Sequence, residues 1–394
     1  MNPTCRVMLV GPWKWTTGGV TTFMNNVAAS SLGDSHAFIG FNIARPPKRN
    51  VADNYSYRAI LRGGAGRLVL GVLVTLWHLA VFPFLLVARR PDVVQVQSSD
   101  FQVFWEASLY VATARALHVP VLMRLGGAFD HFYSVSSPRA RSMIRRVLQW
   151  PDRLIVQSQY WREAVEALGR TSGVVVLPNS VPDTLAETAA VCGAEPPLCF
   201  FAAGSEAVRK GFGEILEATR LLRAEGIRVR LHIIAATAEL QRKLAEAGLG
   251  DIVSAEGFLT HGRTIEAMRR AQIFLLPSRA EGFPNALLEA MALGLAPIVT
   301  PVGAIPEIVV GTGAIVVPVK NARALADAMA RLNSDRALCE KIGTAARAAV
   351  RARYVHSAAM PILAEAWRSL VQSERLRHGS CKRRNPGAPH PRDR

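Results

Sequence analysis

Twelve short β-rich runs alternate with helical stretches between residues 5 and 319, and no other feature restricts the fold as much. Such alternation is the pattern of parallel sheets, because a parallel partner strand needs a crossover long enough to hold a helix. The first six expected strands are 5–11, 36–43, 92–98, 120–127, 153–158 and 174–179. The second six are 199–204, 229–235, 252–258, 273–278, 296–301 and 314–319. Between the two sets, 182–197 (PDTLAETAAVCGAEPP) has no sustained period and is bounded by prolines, which marks a linker. At 394 residues the chain exceeds what one core usually organises, so two doubly wound α/β domains are expected, 1–181 and 198–355. Helical spacing returns over 356–376, a segment placed to pack back on the first domain. The tail 377–394 (RHGSCKRRNPGAPHPRDR) has little to bury and is expected to be disordered.

Charge is distributed unevenly. Residues 1–180 hold 19 Lys and Arg against 9 Asp and Glu, 181–374 hold 21 against 20, and 375–394 hold 7 against 1. A one-sided basic field draws an anionic partner, and the first domain also contains an apolar segment, 68–88, whose one ionisable residue is His78. Arg58, Arg62 and Arg67 precede it and Arg89 and Arg90 follow it. By length it can cross a bilayer. It lies, however, between two strands expected in one sheet, so a buried or interfacial helix is the preferred reading. The partner expected for this half is an anionic membrane surface rather than nucleic acid. Cys5, Cys192, Cys199, Cys339 and Cys381 form no CxxC pair or metal spacing, which fits a reducing cytoplasm. The run from Met1 into the first strand does not read as a signal peptide.

The chemistry concentrates in 277–294, PSRAEGFPNALLEAMALG. A strand ends near Ser278, a loop carries Glu281, Gly282 and Phe283, and Pro284 stands where a helix begins, with Asn285 after it. Gly294 closes that helix, which puts Glu289 on its second turn. Both carboxylates then face the crevice at the carboxyl ends of the strands, beside the unpaired amides of a helix start. Two carboxylates and a ring of amides suit a polyhydroxylated ligand. Upstream, Arg209 and Lys210 occupy a strand-to-helix loop after Gly204, where two cations and adjacent amides neutralise a diphosphate. Gly18 and Gly19 precede a helix expected over 20–32 and let its backbone approach a phosphate.

The stretch EGFPNALLEAMALG resembles the E-x7-E signature of glycosyltransferase family 4, and PIVTPVGAIPE after it continues the match. Gly18-Gly19-Val20, the 177–181 run LPNSV and Arg209-Lys210-Gly211 follow in family order. The resemblance implies a GT-B fold: two Rossmann-like, doubly wound parallel-sheet domains facing across a cleft. It also implies a retaining enzyme that moves a hexose-type sugar from a UDP- or GDP-sugar to a glycan or polyprenyl-linked acceptor, in cell-surface polysaccharide or glycolipid synthesis. On that resemblance Glu289 holds the donor ribose hydroxyls and Glu281 the donor sugar. Family members often carry an arginine straight after the glycine that ends the first strand of the second domain; this chain has Ser205 there, and Arg209 supplies the charge instead. Where family members often place a histidine after the fourth strand, this chain has Gly126, and Asp130 and His131 are the nearest substitutes.

Cleaving a sugar–diphosphate bond leaves negative charge on the diphosphate, and Arg209, Lys210, Gly19 and the helix start at Pro284 are the groups expected to stabilise it. No DxD occurs, so metal-independent transfer without a cofactor is expected, the nucleotide sugar being a substrate. Other readings of the same sequence are a phosphorylase or epimerase on this scaffold and a basic, non-enzymatic nucleic-acid- or membrane-binding protein. A nucleic-acid binder predicts aromatics interleaved with the basic residues, which the tail lacks. The whole reading places the protein in the cytoplasm, held peripherally on the inner face of the membrane.

Overall fold

The computed structural model describes residues 5–13, 19–44, 64–187, 197–204 and 206–381. All twelve expected strands form, in two parallel six-stranded sheets. The first unit runs β1 (Cys5–Gly11), α1 (Gly19–Ala29), α2 (Leu32–Ser35), β2 (His36–Asn42), α3 (Gly64–Arg89), β3 (Val93–Gln97) and α4 (Phe101–Ala116). It continues with β4 (Val121–Arg124), α5 (Phe129–Val135), α6 (Pro138–Val147), β5 (Arg153–Val156), α7 (Gln159–Ala167) and β6 (Val174–Val176). A short α8 (Asp183–Glu187) follows. The second unit begins β7 (Leu198–Ala202), α9 (Phe212–Ala224), β8 (Arg230–Ile234), α10 (Ala238–Glu246), β9 (Val253–Ala255), α11 (His261–Arg269) and β10 (Ile273–Leu276). It ends α12 (Asn285–Leu293), β11 (Ala296–Val299), α13 (Ile305–Val309), β12 (Ile315–Val316), α14 (Ala322–Ser334), α15 (Arg336–Arg353) and α16 (His356–Cys381).

Strand order is β2-β1-β3-β4-β5-β6 in the first sheet and β9-β8-β7-β10-β11-β12 in the second. Both are doubly wound, and the winding reverses between β1 and β3 and between β7 and β10. Crevices for ligands open at those reversals, outside the carboxyl ends of the strands. Helices cover both faces, so central strands such as IFLL of β10 and APIV of β11 are buried throughout and read as continuous apolar runs.

The chain crosses between the units twice, and the crossings pair: Val181 N donates to Tyr354 O at 2.9 Å and His356 N to Val181 O at 3.0 Å. After the second crossing α16 packs on the first sheet. Trp367 is fully buried against it and donates Nε1–H to Gln95 Oε1 at 2.7 Å.

Three local expectations are corrected. The linker is not wholly irregular, because α8 forms at its start and Arg347 donates to its carbonyl oxygens at Ala186 and Glu187; 188–196 lie outside the described residues. Helix α16 continues to Cys381, five residues into the tail expected to be disordered. The helix expected over 20–32 ends at Ala29, and a second short helix begins at Leu32. For 68–88 a buried or an interfacial helix is expected, and α3 buries one stripe, including Phe82 and Leu86, while Leu70, Leu73, Trp77 and Phe84 are exposed.

Candidate active site

Two loops meet at the β7/β10 reversal, one after each strand. The first carries Gly204, Arg209, Lys210 and Gly211, and the second Ser278 to Pro284. Arg279 N donates to Arg209 O at 2.8 Å, which joins them as one unit. Gly211 makes that approach possible: its φ is +84°, and a Cβ there would lie 2.2 Å from Pro277 O.

On this platform Arg209 places Nη1 3.4 Å from Glu281 Oε2 and Nη2 2.6 Å from Glu206 Oε2. Burial works against its charge, but the two carboxylates outweigh it and raise the guanidinium pKa further. Glu281 is also fixed from below, accepting from Ser278 Oγ at 2.9 Å. Lys210 donates to Ala202 O at 3.3 Å, and a Cβ on Gly204 would lie 3.7 Å from its Nζ. Glu289 is buried on the second turn of α12, and burial pushes its carboxyl up to about 7 against the opposing pull of Lys210. His261, at the start of α11, stands 3.9 Å from Glu289 Oε1. Two cations and two carboxylates therefore share one crevice at the amino end of α12. Pro284 is the N-cap of that helix rather than its first helical residue, and Asn285 begins it. Gly294 ends it at φ +85°, as expected.

The first domain closes the crevice from the opposite side. A Cβ on Gly19 would lie 3.6 Å from Asn285 Nδ2, so the start of α1 faces the start of α12. Gly18 lies outside the described residues. Gly282 packs on the loop after β4, where its Cβ would meet Gly127 O at 2.2 Å. Trp161 Nε1–H donates to Gly282 O at 3.0 Å and Asn179 Nδ2–H to Phe283 O at 2.9 Å. The Asn179 amide is itself oriented, since Oδ1 accepts from Gln157 Nε2 at 2.9 Å and from the buried Arg124 guanidinium. Phe283 packs edge-on against Tyr354, with ring centroids 5.7 Å apart.

Asp130 and His131 fall on the first turn of α5. Asp130 Oδ2 accepts from Tyr160 OH at 3.1 Å, beside the interdomain contact. His131 is exposed, and its ring neighbour is Phe101 at 6.2 Å, not a residue of the second-domain loops. The fold thus brings Arg209, Lys210, Glu281, Gly282, Asn285, Glu289 and Gly19 together and leaves His131 at the rim. Sequence reasoning did not assign Trp161, Asn179, Ser278 or Gly303. A hydroxyl three residues before Glu281 was a usable signal for Ser278. Asn179 sits within the LPNSV run, while nothing local marks Trp161.

Gly303 has φ +54°, and a Cβ there would lie 1.9 Å from Glu281 O. Gly303→Ala is expected to destabilise the protein by at least about 1–2 kcal/mol from backbone strain alone. It should also weaken donor binding, because the atom displaced is backbone of the Glu281 loop. Calorimetry and a nucleotide-sugar titration check both; an unchanged melting temperature and affinity would show that the loop does not depend on this contact.

A family model described as "Glycosyl transferases group 1" matches residues 196–335, and one described as "Glycosyl transferase 4-like domain" matches 42–180. The amylovoran biosynthesis glycosyltransferase AmsK of Erwinia amylovora is 34% identical over 167 residues, 40% of this chain and 41% of that protein. GDP-mannose:cellobiosyl-diphosphopolyprenol alpha-mannosyltransferase of Xanthomonas campestris is 29% identical over 224 residues, 54% of this chain and 56% of that protein. The matched stretches thus span 41% and 56% of those two relatives' own lengths. Among solved structures, sucrose-phosphate synthase from Thermosynechococcus elongatus superposes with a TM-score of 0.74 at 18% identity, covering 94% of this chain and 100% of that one. Anabaena HepE in complex with UDP-glucose gives 0.66 at 14%, covering 95% and 100%. At such identities the structural likeness speaks for the fold.

Proposed function

Since the chain belongs to the family 4 glycosyltransferases and has their GT-B fold, we propose that it transfers a hexose-type sugar, with retention of anomeric configuration, from a UDP- or GDP-sugar to a lipid-linked glycan. The observation that carries this reading is the convergence of Arg209, Lys210, Glu281 and Glu289 at the β7/β10 reversal, facing Gly19 across the cleft.

In this reading the nucleotide diphosphate lies between the start of α1 and the Arg209–Lys210 loop, the ribose hydroxyls donate to Glu289, and Glu281 contacts the sugar. The bond from the anomeric carbon to the diphosphate oxygen breaks as the acceptor oxygen bonds to that carbon, and the acceptor hydroxyl proton passes to the leaving diphosphate. Charge develops on the leaving diphosphate, where fixed cations and amides are worth most. Arg209 and Lys210 supply that charge, which supports metal-independent transfer. HepE was solved with UDP-glucose, and the Xanthomonas relative is named for GDP-mannose and a diphosphopolyprenol-linked cellobiosyl acceptor. Those names support the donor and acceptor classes. A cytoplasmic location goes with this reading, since the cysteines of the sequence form no CxxC pair and no even count suited to a disulfide framework.

Saturation-transfer NMR with UDP-glucose, UDP-galactose, UDP-N-acetylglucosamine and GDP-mannose tests the donor class. One of them is expected to show transfer to ribose and sugar protons, lost in Glu289→Ala. Absence of binding by every nucleotide sugar to the folded protein would overturn the reading.

A further inference from the structure

Helix α3 carries two apolar stripes, and the fold uses one. The inner stripe runs through Gly71, Thr75, His78, Phe82 and Leu86, at helical spacing, against Phe41 of β2 and Tyr110 of α4. The opposite stripe, with Leu70, Leu73, Leu76, Trp77, Phe84 and Val87, is more than half exposed at each position, reaching 71% at Phe84. Along Val69–Arg89 the buried positions are Gly71, Phe82 and Leu86. Exposed apolar surface of this extent on one helix marks an interaction face.

The helix also overhangs the site. His78 is level with Phe41, the penultimate residue of β2, with ring centroids 5.6 Å apart. As the crossover between parallel strands, α3 runs opposite to them, so the turns before His78 project past the carboxyl edge of the sheet by about 20 Å. That edge borders the cleft.

The surrounding charge identifies the occupant. Helices α3 to α6 form one layer over one face of the first sheet, and together they carry seven arginines against two acids, Glu106 and Asp130. Arg139, Arg145 and Arg146 of α6 are exposed, as is Arg89 at the end of α3, and Val135 and Met143 lie exposed among them. A second copy seated on this layer would bring arginines against arginines. An anionic lipid surface meets both the apolar stripe and the charge. A span is incompatible with the packing: Phe82 and Leu86 belong to the core, and β2 and β3 both pair with β1 in one sheet.

We propose that the α3–α6 layer is a membrane-docking face. Helix α3 lies in the plane of an anionic leaflet, with Leu70, Leu73, Trp77 and Phe84 in the headgroup–acyl boundary and the α6 arginines over lipid phosphates. Docking in this orientation turns the cleft mouth toward the membrane, where a lipid-linked acceptor resides. The docking face rests on the fold alone, and only its link to a lipid-linked acceptor rests on the transferase reading.

Co-sedimentation of the full chain with phosphatidylcholine vesicles, with and without phosphatidylglycerol, tests it. Binding is expected to rise with the anionic fraction and to fall with salt. The double variant Leu73→Glu/Trp77→Glu should lower partitioning by about tenfold or more. The triple variant Arg139→Glu/Arg145→Glu/Arg146→Glu should flatten the dependence on anionic lipid. Both variants change exposed side chains, so melting temperature and donor binding should match the parent. Equal partitioning of parent and Leu73→Glu/Trp77→Glu would overturn the proposal. So would retention through alkaline carbonate, which marks a span, or self-association in place of vesicle binding, which marks a second copy. Loss of transferase activity with vesicle binding intact would count against the transferase reading only.

Discussion

Lys210→Ala is expected to lower kcat by about 10²–10³-fold while weakening donor affinity by about tenfold or less. The asymmetry follows from what surrounds the ammonium. Lys210 is held against Ala202 O and over Gly204, and its loop is pinned by the close approach of Gly211 to Pro277. It is therefore in place before the reaction, and its charge matters most as the sugar–phosphate bond breaks and the diphosphate gains charge. Arg209 starts from a different position, because Glu281 and Glu206 already share its guanidinium. Strengthening its contact to the leaving group requires loosening those pairs, so Arg209→Ala should cost less in turnover than Lys210→Ala. Lys210 also holds the Glu289 carboxyl down against burial. Kinetics of the variant should accordingly be read well above pH 7, where loss of turnover is not mixed with protonation of Glu289. Equal losses in kcat and in donor affinity, measured by single-turnover kinetics and titration, would reduce Lys210 to a phosphate anchor.

What the sequence made legible was what is contiguous in it. Parallel strands buried on both faces are short apolar runs bounded by turns, so the twelve strands could be read from period and punctuation. The two carboxylates were legible for the same reason, since a strand end, a loop and a helix start place Glu281 and Glu289 within nine residues of chain. Contacts between distant segments left no such trace. The Asn179 amide is set by Arg124 and Gln157 so that it meets the Phe283 carbonyl, a geometry that exists only once the two domains close. Trp161 reaches Gly282 across 121 positions in the chain. In α3 both stripes are apolar, so periodicity could not say which of them the core would cover. Asp130 and His131 were chosen by position after β4, and tertiary packing separated them: Asp130 turns to Tyr160 and His131 to Phe101.

The carboxyl of Glu289 ties the site to pH in a direction that can be worked out. Its pKa in the ligand-free protein is about 7, raised chiefly by burial. A raised carboxyl pKa means that the unfolded chain loses this proton first as pH rises. Stability of the empty protein from this group is thus complete below about pH 4.5 and is lost as pH climbs through about 7, by an upper bound of about 3 kcal/mol. Ribose hydroxyls donating to the carboxylate reverse the balance, because they favour the ionised form, so donor binding expels the proton that Glu289 carries at neutral or lower pH. At pH 6 about one Glu289 in ten is ionised in the empty protein, and at pH 8 about nine in ten. Donor affinity is therefore expected to be about tenfold weaker at pH 6 than at pH 8, with a plateau above that. Glu289→Gln should bind donor weakly at every pH and abolish the slope, while thermal stability of the empty variant should no longer decline across pH 4.5 to 7. Calorimetric titrations in buffers of different ionisation enthalpy count the released proton directly. A parent protein that binds donor equally at pH 6 and pH 8, with no proton released, would show that Glu289 stays neutral in the complex and is not the group that accepts the ribose hydroxyls.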